Sequence, residues 1–237
     1  MKKYLLFIVE GKNDKKEIQA MIRAACGSSF LDKFVDAYHI HNGDITSEKD
    51  SSEKNITAKL NSIVIDWRNG GEQPFQKIPV SDVSRIIHVI DTDGVFVPDY
   101  AIVETDDAKV IYEESSIRYN LRDQLVGRNR KKARVILKLL NVSQIDNIPY
   151  SIYFASCNMD HLLFNKRNPD PQNKGQNAAI FASKCKAKAD LNESIYNADV
   201  CALGSFEESW NMIQKGCNSL ARHTNLNLFL DSLYIRE

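Results

Sequence analysis

The sequence has little that would hold it in a membrane or staple it outside a cell. Its longest apolar runs, Tyr4-Leu5-Leu6-Phe7-Ile8-Val9 and Ser151-Ile152-Tyr153-Phe154-Ala155, are far shorter than the roughly 18–20 residues that cross a bilayer. Met1-Lys2-Lys3 ahead of the first run has the charge of a secretory leader, but Glu10, Gly11, Lys12, Asn13 and Asp14 interrupt it before any small-residue cleavage site. A buried strand is expected there instead. The five cysteines (Cys26, Cys157, Cys185, Cys201, Cys217) are odd in number, widely spaced and without a CxxC pair. That excludes a disulfide framework and a thiolate zinc site, and free thiols in a reducing cytoplasm are the expectation. There is no net charge either: 31 basic side chains stand against 31 acidic ones. A uniformly basic nucleic-acid coat is excluded, although opposite blocks that cancel in the sum still shape the field locally. Internal repeats, low-complexity tracts and a GxxxxGK[ST] phosphate loop are all missing.

What is present is an alternation of β-rich runs with helical patterns, the mark of βαβ units around a mostly parallel sheet. Strands are predicted at residues 4–9, 34–41, 85–90 and 151–155, and helices at 14–25 and 56–67, the first from Ile18, Met21, Ile22 and Ala25 at helical spacing. Residues 42–55 are polar and aperiodic and predict an exposed, mobile loop, and Gly70-Gly71 predicts a turn. Charge then segregates. Residues 99–114 hold six acids and one lysine, whereas 118–138 hold eight basic residues and one acid. Gly127 predicts a break of the basic stretch into two helices. Residues 166–177 read as a loop with two prolines and a glycine. Beyond them Ser205-Phe206-Glu207-Glu208 is a capping-box pattern, and Leu226, Phe229, Leu230, Leu233 and Tyr234 form an apolar helical stripe.

Two acidic motifs stand at predicted strand ends, where open α/β sheets place their ligand sites. Glu10 leaves the first strand and is followed by Gly11 for a tight turn, Lys12, Asn13 and a helix start at Asp14. Asp91-Thr92-Asp93-Gly94 follows the apolar run Ile86-Ile87-His88-Val89-Ile90. Residues two apart on an extended chain share a face, so Asp91 and Asp93 are expected to point at one cation. Carboxylates that converge repel unless a cation sits between them, and oxygen-only donors favour Mg²⁺ or Mn²⁺ over zinc. A third acid, Asp160, follows the strand at 151–155. It is expected at the same rim with His161 as a second-metal ligand or proton-transfer group, unless Asn158 merely caps the next helix. His39 and His41 alternate on one strand but lack a third ligand and read as ordinary.

Phe7-Ile8-Val9-Glu10-Gly11-Lys12-Asn13-Asp14 followed by Val89-Ile90-Asp91-Thr92-Asp93-Gly94 resembles the Toprim domain shared by topoisomerases, bacterial primases, a small ribonuclease that matures 5S ribosomal RNA, and OLD-family nucleases. The resemblance implies a Rossmann-like, mostly parallel sheet flanked by helices over residues 1–165, with a polar insertion near 42–55 and a basic helical segment at 118–140. Residues 166–237 then form a helical C-terminal extension. It carries Glu10 over as catalytic acid/base or metal-linked glutamate, Asp91 and Asp93 as metal ligands, and Gly11, Lys12, Asp14 and Gly94 as turn and phosphate-contacting positions. The separation from Glu10 to Asp91 is longer than in compact members. The activity it implies is Mg²⁺-dependent (or Mn²⁺-dependent) hydrolysis of DNA or RNA phosphodiesters in the cytoplasm, with phage defence or RNA processing as settings and a separate ATPase as a possible partner.

Ile90-Asp91-Thr92-Asp93-Gly94-Val95 also resembles the nucleophile loop of haloacid-dehalogenase-like phosphatases. That would make Asp91 the nucleophile, Asp93 the general acid and Ser156 a phosphate-binding hydroxyl. Against it, some 90 residues and a second acidic strand end precede the motif. A third reading is a non-catalytic nucleic-acid-binding or regulatory module. For either nucleic-acid reading the expected footprint is Arg118, Arg122, Arg128, Arg130, Lys131, Lys132, Arg134 and Lys138, since phosphate neutralisation supplies sequence-independent affinity.

Overall fold

A computed structural model describes residues 3–27, 29–70, 77–201 and 204–233. The chain is an α/β protein with a mostly parallel central sheet flanked by helices. Strands β1 (Lys3–Val9), β2 (Phe34–Asn42), β3 (Val83–Asp91) and β8 (Ile148–Ala155) run parallel in the order β2-β1-β3-β8, and β7 (Gln144–Ile145) adds an antiparallel edge. A three-stranded satellite sheet, β4 (Ile102–Glu104), β6 (Ile117–Tyr119) and β5 (Ile111–Tyr112), stands beside it.

Period-two alternation sends side chains to both faces of the central sheet. Leu5, Phe7, Val9, Ile87 and Val89 pack with helices α1 (Lys12–Cys26), α6 (Lys174–Lys184) and α8 (Leu226–Leu233), whereas Leu6, Ile8, Ile86, Ile90 and Phe154 pack with α3 (Ile56–Arg68), α4 (Arg122–Leu140) and α7 (Phe206–Ile213). Both faces are dry, which is why β1 and β3 read as continuous apolar runs. Two short helices, α2 (Ser29–Lys33) and α5 (Met159–Phe164), complete the set among the described residues.

The segment beyond residue 165 shares these cores. The Asn225 amide oxygen accepts a hydrogen bond from the Phe154 N–H (2.9 Å), Thr224 bridges Ala155, and Trp210 meets Phe154 edge-on at 4.9 Å. The expected capping box opens α7: Ser205 Oγ accepts from the Glu208 N–H and Glu208 Oε2 from the Ser205 N–H. The apolar stripe of α8 is buried as its spacing predicts, while Tyr234, like Gly71 of the predicted turn, lies outside the described residues.

Two local expectations are corrected. Gly127 does not break the basic segment, because α4 runs unbroken; one internal glycine costs about 1 kcal/mol, and the buried stripe Leu125, Val126, Val135, Ile136, Leu139 on that helix outweighs it. Residues 42–55 are not a free loop. Ile45, Thr46 and Ser51 are fully buried, Ile45 packs with Ile8 and Leu60, and Lys59 ties the segment by pairing with Glu48 and Asp50.

The turn after β3 is tightly held. Asp93 (φ 50°) and Gly94 (φ 64°) are left-handed, and the Asp93 N–H donates to the Cys157 carbonyl at 2.8 Å. A Cβ at Gly94 would lie 2.6 Å from Leu220 Cδ2 and 2.8 Å from Ile117 Cδ1. Gly94→Ala is therefore expected to destabilise the fold by about 1–3 kcal/mol, through overpacking and positive-φ strain together. The urea midpoint measures it, and an unchanged midpoint would show that the turn can relax.

Candidate metal centre

Parallel strands deliver their carboxyl ends to one edge of a sheet, and here four strand ends bring acids there. Glu10 follows β1, Asp44 follows β2, Asp91 and Asp93 end β3, and Asp160 follows β8 in the first turn of α5. Oxygens of Glu10, Asp44 and Asp93 lie within 4.8 Å of one another, the three side chains being half-buried.

Between them sits Lys132. Its fully buried Nζ donates to Asp93 Oδ2 (2.8 Å), Asp44 Oδ2 (2.9 Å) and Glu10 Oε1 (3.2 Å). Burial alone would strip its proton, but Asp93, Glu10 and Asp44 overcome that and hold the ammonium well above its usual range. Burial likewise opposes ionisation of Asp44, yet Lys132 and the hydroxyls of Ser47 and Thr46 hold its carboxyl well below the usual range. Glu10 goes the other way. Burial pushes it well up, Lys132 opposes, and Asp44, Asp93 and Asp14 add repulsion.

The left-handed turn divides the two aspartates of the DxDG motif, which overturns the expectation that alternation aims both at one point. Asp93 turns to Lys132, and its Oδ1 accepts from the Tyr112 hydroxyl (3.2 Å). Asp91 Oδ1 accepts from the Met159 N–H (3.0 Å), while the Asp91 N–H donates to Glu10 Oε1 (3.0 Å). Glu10 thus bridges the Asp91 backbone and the lysine-centred triad. Burial first, then the charge of Glu10, raises Asp91 well above the usual carboxylate range.

A cavity of about 210 Å³ opens on the other side of Glu10 and Asp91, lined also by Asp14, Glu17 and Asp160. Asp14 caps α1, its Oδ2 accepting from the Gly11 N–H (2.8 Å). Burial lifts it to about 6. Asp160 accepts from Asn177 Nδ2 (3.1 Å), and Lys174 Nζ stands 3.7 Å away. Glu17 is 3% exposed and makes no hydrogen bond among the described residues; burial, then Asp14 and Asp160, push it to about 8. An acid whose folded pKa is raised weakens the fold as pH climbs, because the unfolded chain ionises first. In metal-free protein, Glu17→Gln is expected to match wild type below about pH 4.5 and to be increasingly more stable as pH rises towards 8. Thermal melts across pH test this, and parallel curves would refute it.

The remaining expected positions fall as follows. Asn158 caps α5, Oδ1 accepting from the His161 N–H (2.9 Å), and His161 is buried with Nδ1 turned to the Cys157 N–H, so of the two residues expected at the rim Asp160 lines the cavity and His161 does not. Lys12 is exposed at the start of α1. His39 stacks on Phe7 at 5.5 Å, and His41 faces Glu48. Ser156 is fully buried and its hydroxyl donates to the carbonyls of Asn218 and Ala221. It is not presented to the DxDG turn.

The basic tract is largely spoken for. Arg118 pairs with Asp107 and Glu113, Arg130 with Asp99, Arg134 with Glu53 and Arg122 with Asp123 and the carbonyls of Ile102 and Asp99. Lys131 donates to the carbonyls of Glu48 and Lys49, and Arg128 to Asn129. The acidic and basic blocks thus fold onto each other.

Asp44 and Lys132 are the site residues that motif reading missed. Both left a signal. Asp44 follows a strand end as Glu10 and Asp91 do, and Lys132 falls on the apolar stripe of α4 with Leu125, Asn129, Ile136 and Leu139, where a lysine with no reason to be buried would not sit. No family model matches the chain, and neither the curated proteins nor the solved structures contain a match.

Proposed function

We propose that this chain is a Mg²⁺-dependent hydrolase of nucleic-acid phosphodiesters, with a Toprim-like core acting in the cytoplasm. The observation that carries the reading is the convergence of acids from four parallel strand ends, with a buried ammonium already held where a cation is required. The donors are all carboxylate oxygens, which suits Mg²⁺ or Mn²⁺, and the lysine stands in for the positive charge the cluster demands. Glu10, Asp44 and Asp93 would hold the ion, with Asp91, Asp14 and Asp160 offering ligands for a second on the other side of Glu10. Bound there, it supplies Lewis-acid charge to a phosphodiester.

The chain's own groups do the rest. Glu10, whose affinity for a proton burial raises, is placed to take part in proton transfer. Lys132 keeps Asp44 ionised and orients both Asp44 and Asp93. Tyr112 fixes the second oxygen of Asp93. The phosphatase reading loses Ser156 as a phosphate-binding hydroxyl to the geometry above, and no observation favours it.

The deciding experiment is a Mn²⁺-soaked crystal together with cleavage assays on labelled DNA and RNA. Anomalous density among Glu10, Asp44 and Asp93, with Mg²⁺-dependent strand scission, is the expected result. Density elsewhere, or turnover of small phosphate esters with nucleic acid untouched, would sink the proposal.

A further inference from the structure

Asp91 and Asp93 also line a cleft of about 660 Å³ between the satellite sheet and residues 165–174. Resting on the hydrolase reading above, we propose that this cleft is the substrate channel and that it takes a single-stranded segment of nucleic acid, one or two nucleotides at a time, rather than a duplex.

Size is the first argument. The volume falls in the range of about 300–1,000 Å³ that holds one small-molecule-sized unit, the scale of one or two nucleotides rather than of a stacked double helix.

Charge is the second. Lys109 is exposed and makes no ion pair among the described residues. Arg167 is anchored through Nε to the Leu220 carbonyl (3.3 Å), and no hydrogen bond of the described residues uses its two terminal nitrogens. A guanidinium fixed at one end and open at the other suits a phosphate fork. Lys174, nearly half exposed, lies 3.7 Å from Asp160 and faces both the cleft and the acidic cavity. By contrast, the sequence's basic tract is engaged along most of its length.

Third, the cleft is built rather than incidental. The Tyr112 N–H donates to Asn168 Oδ1 (2.8 Å) and Asn168 Nδ2 donates back to the Tyr112 carbonyl (2.7 Å). Strand β5 is thereby locked to the opposite wall, which Pro169 and Pro171 stiffen by fixing φ. The Tyr112 hydroxyl then joins that wall to Asp93. Single-strand binders pair cationic side chains with an aromatic one, and here Lys109, Arg167 and Lys174 stand with Tyr112 along a cleft that Asp91, Asp93 and Asp170 also line.

The test is fluorescence anisotropy with a labelled 12-nucleotide oligo-dT and a 12-base-pair duplex, using the full chain with Ca²⁺, followed by cleavage in Mg²⁺. The single strand is expected to bind at least tenfold more tightly than the duplex, with a steep salt dependence. Arg167→Ala and Lys109→Glu should each weaken it by about tenfold, an order of magnitude set by one charge-assisted phosphate contact, while Arg134→Ala leaves it unchanged. Lys109 is exposed and makes no ion pair among the described residues, so its variant reads the cleft even if Arg167→Ala fails to fold. Equal or better binding of duplex, no binding of either probe, or indifference to Lys109→Glu overturns the channel. Retained single-strand binding with no scission in Mg²⁺ or Mn²⁺ overturns the hydrolase reading and leaves the channel standing.

Discussion

Lys132→Met is expected to destabilise the metal-free protein by about 3–5 kcal/mol, the usual cost of removing one member of a buried ionic network. Methionine fills the lysine stem's volume, so packing survives. What is lost is the cation 2.8–3.2 Å from Glu10, Asp44 and Asp93, and those carboxylates then face one another unneutralised. The part of the pH dependence that Asp44 carries should reverse. In wild type Lys132 holds Asp44 ionised, a contribution present above the unfolded value of 3.8 and lost as pH falls through the lower folded one. In the variant, falling pH protonates the repelling acids and restores stability. Mn²⁺ should raise the variant's melting temperature more than the wild type's, because the ion no longer competes with an ammonium. Melts with EDTA and with Mn²⁺, from about pH 2 to pH 8 so that the range below the unfolded Asp44 value is covered, decide it; an equal Mn²⁺ shift in both proteins would mean that the triad does not take the ion.

The second large effect is on catalysis. Asp91→Asn is expected to lower Mg²⁺-dependent cleavage on the order of 10³-fold, by analogy with the loss of a charge-stabilising group in an active site, while leaving the fold intact. Asparagine keeps an oxygen for the Met159 N–H. It is also neutral, which burial and Glu10 already favour at this position, so the metal-free melting temperature should hold or rise slightly. Asp93→Asn should behave differently and cost stability too, because Asp93 forms the shortest of the three Lys132 contacts. Single-turnover cleavage and thermal melts on the same preparations separate the two. Near-wild-type cleavage by Asp91→Asn would remove Asp91 from the machinery.

Much of the fold was legible because its signals are local. The strands at 4–9, 34–41, 85–90 and 151–155 are short apolar runs, and all four are present within a few residues of their expected bounds. The capping box at Ser205 and the stripe of α8 are equally local. Gly127 misled because a single residue's propensity is small beside the burial of a whole helix face. Residues 42–55 misled because their polar side chains bond one another and Lys59 while Ile45 reaches the core, a contact that composition does not show.

The sequence by itself determined that four parallel strands would form and that Glu10, Asp91 and Asp93 would stand at their ends. Apolar runs and the residues that stop them are properties of contiguous chain. Only the tertiary structure decided that Asp44 joins them, that a left-handed turn parts Asp91 from Asp93, and that Lys132 is the counter-cation. Lys132 reaches Glu10 across 122 positions of sequence, and what makes them neighbours is the packing of α4 against the sheet. The same packing spends most of the basic tract on the chain's own acids and carbonyls, so the two charged blocks that cancel in the sum meet in the fold, while Lys109, Arg167 and Lys174 line the cleft.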